Sequence, residues 1–201
     1  MSIWEGAVMG LKHKGTQTMK TNRLVLRRFT PDDADAMFHN WASEPDVAKT
    51  VTWNTHESVE TSKEVISMWL NEYQKEDTYQ WCIEYSGEAI GGISGLEVNE
   101  ELRSVAIGYC IGTKWWGLGI ATEALRVVID YLFDIGFNRI WGVHNIGNSA
   151  SGRVMEKCGF QFEGIIRQGA VNFDGYIHDV KQYAIVASDR EQNSMPHLHH
   201  N

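Results

Sequence analysis

The 201-residue sequence is poor in the features that staple small extracellular folds, with only three cysteines and three prolines. Cys82, Cys110 and Cys158 are odd in number, widely spaced and form no Cys-x-x-Cys pair. That excludes a disulfide framework and a zinc ribbon, and reduced cytosolic thiols are expected. Uncharged apolar runs of the roughly 20 residues that a membrane helix requires are lacking. Met1–Thr18 has no apolar core ahead of a cleavage site, so it does not read as a signal peptide. A cytoplasmic protein without a membrane partner is expected. Basic charge is also scarce: 18 Lys and Arg stand against 26 Asp and Glu, a net charge of −8. This argues against a nucleic-acid partner, whereas an acidic surface serves solubility and suits a cationic partner such as an amine.

What is present describes one domain. Hydrophobic residues make up 43% of the chain, and a chain of this size buries about 70% of its unfolded surface without staples. No repeat, Pro/Ser-rich linker or long charge run divides it. Residues 1–20 lack a clear period and are expected to form a flexible N-terminal extension. Residues 21–188 form the domain and 189–201 a frayed tail. The tail histidines, His197, His199 and His200, have no partner ligands at defined spacing, so no metal is expected.

Within the domain, Leu24–Arg28 is strand-like. Thr30-Pro31-Asp32-Asp33 supplies a capping hydroxyl, a proline at the first helical position and an acid at the third, opening a helix to about Ala42. A second helix is expected at Glu57–Lys75, with Ser62, Ile66, Trp69, Leu70 and Tyr73 on one face. Strands follow at Tyr79–Tyr85, Ala89–Val98 and Ser104–Ile111, the first two joined by a turn at Ser86-Gly87-Glu88. Gly119–Ile135 reads as a helix, with Ile120, Ala124, Val128 and Leu132 at intervals of four and Gly136 closing it. A strand at Arg139–Val143 leads to a helix at Ser149–Cys158, capped by Asn148 and stopped by Gly159. Strands at Phe160–Arg167 and Tyr176–Ala187 complete the order β α α β β β α β α β β. The expected class is α/β (α+β): a mixed, mostly antiparallel sheet of about seven strands flanked by four helices.

The run Tyr109-Cys-Ile-Gly-Thr-Lys-Trp-Trp-Gly-Leu-Gly-Ile-Ala-Thr-Glu-Ala124 carries the chemistry. A strand ends, glycines follow and an amphipathic helix begins at once. Free backbone N–H groups at a helix start, with the positive end of its dipole, suit a phosphate. Gly117 and Gly119 let the backbone approach closely, although a tight turn without a ligand would use the same residues. The dinucleotide fingerprint fails because Thr122 stands where a third glycine or alanine belongs, and His144 and Asn145 follow the next strand instead of an acid. A P-loop fails because Gly-Lys-Ser/Thr is absent.

Lys114-Trp-Trp-Gly117-Leu-Gly119 resembles the Gln/Arg-x-x-Gly-x-Gly/Ala signature of the GNAT superfamily of acyl-CoA-dependent N-acetyltransferases, with Lys in the first place. Arg23-Leu-Val-Leu-Arg27, Ile107-Gly-Tyr-Cys-Ile111, Thr122-Glu-Ala124, Asn148-Ser-Ala-Ser151 and Glu156-Lys-Cys-Gly-Phe160 are similar to the ribosomal-protein (RimJ/RimL-like) branch. The likeness spans about Arg23 to Val186. It implies a GNAT-like fold and acetyl-CoA as the donor. The strand before the glycine turn splays from its neighbour, and the pantetheine arm pairs with Tyr109, Cys110 and Ile111. The pyrophosphate sits on the N–H groups of Gly117, Leu118, Gly119, Ile120 and Ala121, with Lys114 and Thr122 flanking. Asn148 touches the cofactor, or is a plain helix cap, or is both.

The same resemblance places the chemistry less completely. Many members carry a proton-donating tyrosine five residues before the Gly-Phe phenylalanine; here that residue is Met155. The ribosomal-protein branch is similar in using a serine, and Ser151 fits, its alternative being a cap for its own helix. Members often carry a glutamate before the Ile-Gly-Tyr run, where this chain has Ala106. Glu97, taken as catalytic with Ser151, competes as base with Glu163, Asp174, His144 and an ordered water. A ping-pong route through Cys110 or Cys158 is not expected. Trp69, Trp81 and Trp141 read as core. Trp41 and Trp53 flank the loop between the first two helices, which in the family lines the acceptor entrance, and Trp53, Asn54 and His56 are expected to shape the substrate groove. The expected activity is direct acetylation of a primary amine, foremost the N-terminal α-amine of a protein such as a ribosomal protein. The alternatives are a small amine, such as a polyamine or an aminoglycoside, and a non-catalytic acyl-CoA-binding module. Homodimers are common among similar proteins.

Overall fold

The structure, a computed structural model, describes residues 10–172 and 175–194. Its centre is one eight-stranded sheet: β1 (Met19–Lys20), β2 (Leu24–Arg27), β3 (Tyr79–Tyr85), β4 (Glu88–Asn99), β5 (Ser104–Ile111), β6 (Arg139–Asn145), β7 (Gln161–Val171) and β8 (Ile177–Val186). The spatial order is β1-β2-β3-β4-β5-β6-β8-β7, and β5–β6 is its parallel pair. The expected class holds, with one strand more than expected. The additional strand, β1, is two residues long and pairs with β2, too short for any hydrophobic period to mark it.

The helices are α1 (Ala34–Met37), α2 (Pro45–Ala48), α3 (Val59–Glu72), α4 (Ile120–Ile135), α5 (Ser149–Lys157) and α6 (Ala187–Ser194). The expected first helix is built in three pieces: a 3-10 turn at Pro31–Asp33, then α1, then a π-helical turn at Phe38–Ala42. Its capping box forms as read, with Asp33 accepting from the Thr30 N–H at 2.7 Å. On one side of the sheet α4 buries Ala124, Leu125, Val128 and Leu132 against Trp81, Ile83, Ile93 and Ile140. On the other, Phe29, Met37, Trp41 and Ile66 pack over Cys82 and Ala89.

The ends of the chain differ from expectation. Residues 1–9 of the extension lie outside the described residues, but Lys12 to Lys20 are bound to the domain. The Lys12 N–H donates to the Ile135 carbonyl at 2.9 Å. Thr16 accepts from the Gln80 N–H at 2.9 Å, and the Trp81 indole donates to the Gln17 carbonyl at 2.8 Å. These partners are 60 residues or more away along the chain, so no local pattern announces them. The expected tail opens inside α6, where Arg190 pairs with Asp134 at 2.7 Å. His197, His199 and His200 lie outside the described residues.

Candidate active site

The site begins where two neighbouring strands part. β5 and β6 pair at Ser104↔Arg139, Val105↔Ile140 and Ala106↔Trp141. Beyond that point β5 continues to Ile111 alongside β4, while β6 stays paired with β8 to Asn145. Ile107–Ile111 therefore has no partner in β6, and a cleft opens toward the C-terminal ends of both strands. Tyr109, Cys110 and Ile111 belong to this last stretch of β5.

At the end of β5 the chain turns through Thr113–Trp115 into the glycine loop and α4. The Glu44 carboxylate fixes the turn, accepting from the Thr113 N–H at 2.9 Å and its hydroxyl at 3.2 Å. Gly117 and Gly119 hold φ of +75° and +76°, a left-handed backbone that other residues adopt at a cost of about 1–2 kcal/mol. Successive turns of this kind aim neighbouring N–H groups into one concavity. Among the described residues no acceptor takes the N–H of Gly117, Leu118, Gly119, Ile120 or Ala121. A Cβ at Gly117 would meet nothing within 4 Å, so the loop faces open space. Five free donors at the positive end of a 16-residue helix fit a pyrophosphate. Lys114 lies over the Trp115 ring at 4.8 Å, and the exposed Trp116 donates its indole N–H to the Ile111 carbonyl at 2.7 Å. The Thr122 carbonyl accepts from the Cys158 thiol at 3.5 Å.

Across the cleft, the first turn of α5 presents Ser151. Its hydroxyl does not cap the helix: Asn148 does so, with its side-chain oxygen accepting from the Ser151 N–H at 3.3 Å. Ser151 Oγ instead lies 2.9 Å from the Tyr109 hydroxyl, which also donates to the Ser151 carbonyl at 3.0 Å. Burial pushes the Tyr109 phenol far above its usual range against the opposing hydrogen bond to Ser151, so it stays protonated. The phenol's place here was missed in the sequence. Strand alternation carries the signal, since Ile107, Tyr109 and Ile111 share one face of β5 and pack with Met155 and α4. Met155 is buried beside Gly142.

The candidate bases separate. Glu97 is exposed, at the bulge where the β4–β5 register shifts, one residue past the Leu96↔Ala106 pair. Glu163 is held by Arg139 at 2.6 Å and by Gln182 at 2.9 Å. The Arg139 hydrogen bonds, working against partial burial, lower its carboxyl to about 2, which leaves a poor proton acceptor. His144 is buried, with Nδ1 2.7 Å from the Asn145 carbonyl. Its Nε2 faces Gly152, where a Cβ would come within 2.7 Å. Asp174 lies outside the described residues.

On the opposite side of the sheet, Trp53 packs partly against the Phe29–Trp41 cluster that Cys110 also touches. Its ring centroid is 5.7 Å from that of His56, and Asn54 is exposed. His56 Nδ1 lies 2.8 Å from Ser62 Oγ, and burial lowers its pKa, keeping the imidazole neutral at pH 7. Trp41, beside the loop that follows the first helix, is 1% exposed and belongs to the core. Trp81 is core as expected, whereas Trp69 and Trp141 are half-buried. Burial raises the thiols of Cys110 and Cys158 to about 11. Among the described residues no group of three His, Cys, Asp or Glu side chains is placed to hold a metal ion, and no helix is long and apolar enough to cross a membrane.

Known proteins match this chain in sequence and in fold. Residues 23–161 match the family described as the acetyltransferase (GNAT) domain. The uncharacterised N-acetyltransferase YoaA of Bacillus subtilis is 33% identical over 171 residues, covering 84% of this chain and 96% of its own. The [ribosomal protein uS5]-alanine N-acetyltransferase of Escherichia coli is 27% identical over 125 residues, 60% of this chain and 64% of its own. Among solved structures, the RimL ribosomal L7/L12 α-N-protein acetyltransferase in complex with coenzyme A superposes with a TM-score of 0.76 at 20% identity, over 85% of this chain and 98% of that one.

Proposed function

The chain belongs to the GNAT acetyltransferase family, and on that premise we propose that this acetyl-CoA-dependent N-acetyltransferase modifies the N-terminal α-amine of a protein. The observation that carries the reading is Ser151 Oγ, not used as the helix cap and held 2.9 Å from the Tyr109 hydroxyl. It gives the site a serine where many relatives use a tyrosine, as in the ribosomal-protein branch. The names of relatives that act on ribosomal-protein amines support the same acceptor class. A ribosomal protein as acceptor places the reaction in the cytoplasm.

Bound acetyl-CoA supplies the thioester and a thiol leaving group. The N–H groups of Gly117–Ala121 bind its pyrophosphate, and the unpaired edge of Tyr109, Cys110 and Ile111 receives the pantetheine arm. Free N–H groups on that edge polarise the acetyl carbonyl. Ser151 holds a proton for the departing sulfur, and Tyr109 fixes the serine's orientation. Glu97 takes the proton that the amine sheds. An α-amine has a pKa of about 8 against about 10.4 for lysine, so it needs less help to become a nucleophile near neutrality. An exposed carboxylate such as Glu97 suits that acceptor. Trp53, Asn54 and His56 line the side from which the acceptor enters, and the net charge of −8 draws a cationic amine.

The test is thiol release from acetyl-CoA in the presence of peptides with free α-amines, polyamines and aminoglycosides. Turnover confined to peptides is expected. Turnover on small amines alone would refute the protein acceptor, and acetyl-CoA binding without turnover on any acceptor would indicate a non-catalytic binding module.

A further inference from the structure

Two sequence motifs that the site above leaves without a role meet in space: the Arg23-Leu-Val-Leu-Arg27 strand and the Thr122-Glu-Ala124 opening of α4. Arg23 Nε donates to Glu123 Oε2 at 2.7 Å, and a second guanidinium nitrogen lies 2.7 Å from the same oxygen. The third nitrogen donates to the Leu118 carbonyl at 3.0 Å. The other Glu123 oxygen accepts from the Thr21 hydroxyl and from the Arg23 N–H, the latter at 3.3 Å. Leu118 is the residue between the two left-handed glycines. For the loop's N–H groups to converge on one anion, the intervening carbonyl must turn to the opposite side. Arg23 takes that carbonyl.

We propose that Arg23, anchored by Glu123, is the positioning residue that holds Gly117–Ala121 in its anion-binding shape and thereby sets the affinity for the pyrophosphate of coenzyme A, a role that rests on the acetyl-CoA reading above. Arg23 acts through the loop and not as a phosphate ligand, because its charge is already matched. Burial works to raise the Glu123 carboxyl, but the hydrogen bonds from Thr21 and Arg23 outweigh it and hold the group below its usual range. Two of the guanidinium's nitrogens donate to Glu123 and Leu118, and the third stands 2.7 Å from the same carboxylate. Lysine supplies the charge without the fork that grips two partners at once.

The experiment measures calorimetric dissociation constants of wild type, Arg23→Met, Arg23→Lys and Glu123→Gln for coenzyme A and for pantetheine, which lacks the pyrophosphate. Each variant is expected to bind coenzyme A about tenfold or more weakly and pantetheine as wild type does, with Arg23→Lys resembling Arg23→Met. The Arg23→Met/Glu123→Gln double variant is expected to be no worse than either single one. Unchanged coenzyme A affinity in Arg23→Met overturns the proposal while leaving the acetyl-CoA reading intact. So does an equal loss for both ligands, which marks general damage to the fold, and so does full rescue by lysine. Wild-type protein that binds neither ligand overturns the acetyl-CoA reading and this role with it.

Discussion

Replacing Gly119 with alanine tests whether the glycine loop works through backbone conformation. A Cβ at this position would have Arg23 as its nearest neighbour, at 3.8 Å, so the substitution introduces no collision. What it introduces is a side chain at φ +76°, costing about 1–2 kcal/mol in the left-handed region. That cost has two outlets. If the loop keeps its shape, the folded state carries the strain and the melting temperature falls by about 2–8 °C, at ~2–4 °C per kcal/mol for a chain this long. If the free loop relaxes, the N–H concavity must be rebuilt on binding, and coenzyme A affinity falls about 5–30-fold. Calorimetric titration and thermal melting of the same preparation therefore give losses that sum to about 1–2 kcal/mol. Gly119→Asn should lose less, because asparagine tolerates the left-handed region. Wild-type affinity together with wild-type melting in Gly119→Ala, or an asparagine variant worse than alanine, would refute the conformational reasoning.

Ser151→Ala should lower kcat about 100-fold, the low end for loss of a positioned proton donor, with the KM for acetyl-CoA unchanged. Tyr109→Phe should cost up to about tenfold, the worth of one hydrogen bond; steady-state kinetics on a peptide with a free α-amine checks both. With the Cys110 and Cys158 thiols at about 11, no acetyl-enzyme should form, and mass spectrometry of protein incubated with acetyl-CoA alone should show no acetyl adduct on cysteine. In acid, Glu163 is held at about 2 against an ordinary 4.5. Its pair with Arg139 thus adds stability above pH ~4.5 that is lost as pH falls toward ~2. Glu163→Gln should flatten the pH dependence of unfolding across that interval in denaturant titrations.

What the sequence revealed and what it hid follow from the range of the interactions. Local chemistry was legible: the Thr30–Asp33 capping box, the four-residue spacing of Ile120, Ala124, Val128 and Leu132, and the glycines that open and close α4. The glycine loop was legible because its shape is set by consecutive residues. Pairings that span the chain were not. Thr16 and Gln80 are 64 residues apart, and Arg23 and Glu123 are 100 apart, so no window of a dozen residues contains both partners. The burial of Trp41 was hidden for a related reason: it sits in a π-helical turn, where the 3.6-residue period that identifies a buried face no longer applies. Ser151 was singled out by motif order alone, whereas its contact with Tyr109 needed the packing of α5 across β5 to come into view.

The most direct measurement locates the acetyl group. Peptides that carry one free α-amine and one internal lysine are incubated with the protein and acetyl-CoA, then fragmented in a mass spectrometer, with α-amine-blocked copies run in parallel. The expected result is acetyl on the α-amine alone, with the blocked copies unmodified and Ser151→Ala slow on the free ones. Acetyl on the lysine, or equal modification of blocked and free peptides, would contradict an α-amine acceptor at the Ser151–Tyr109 site.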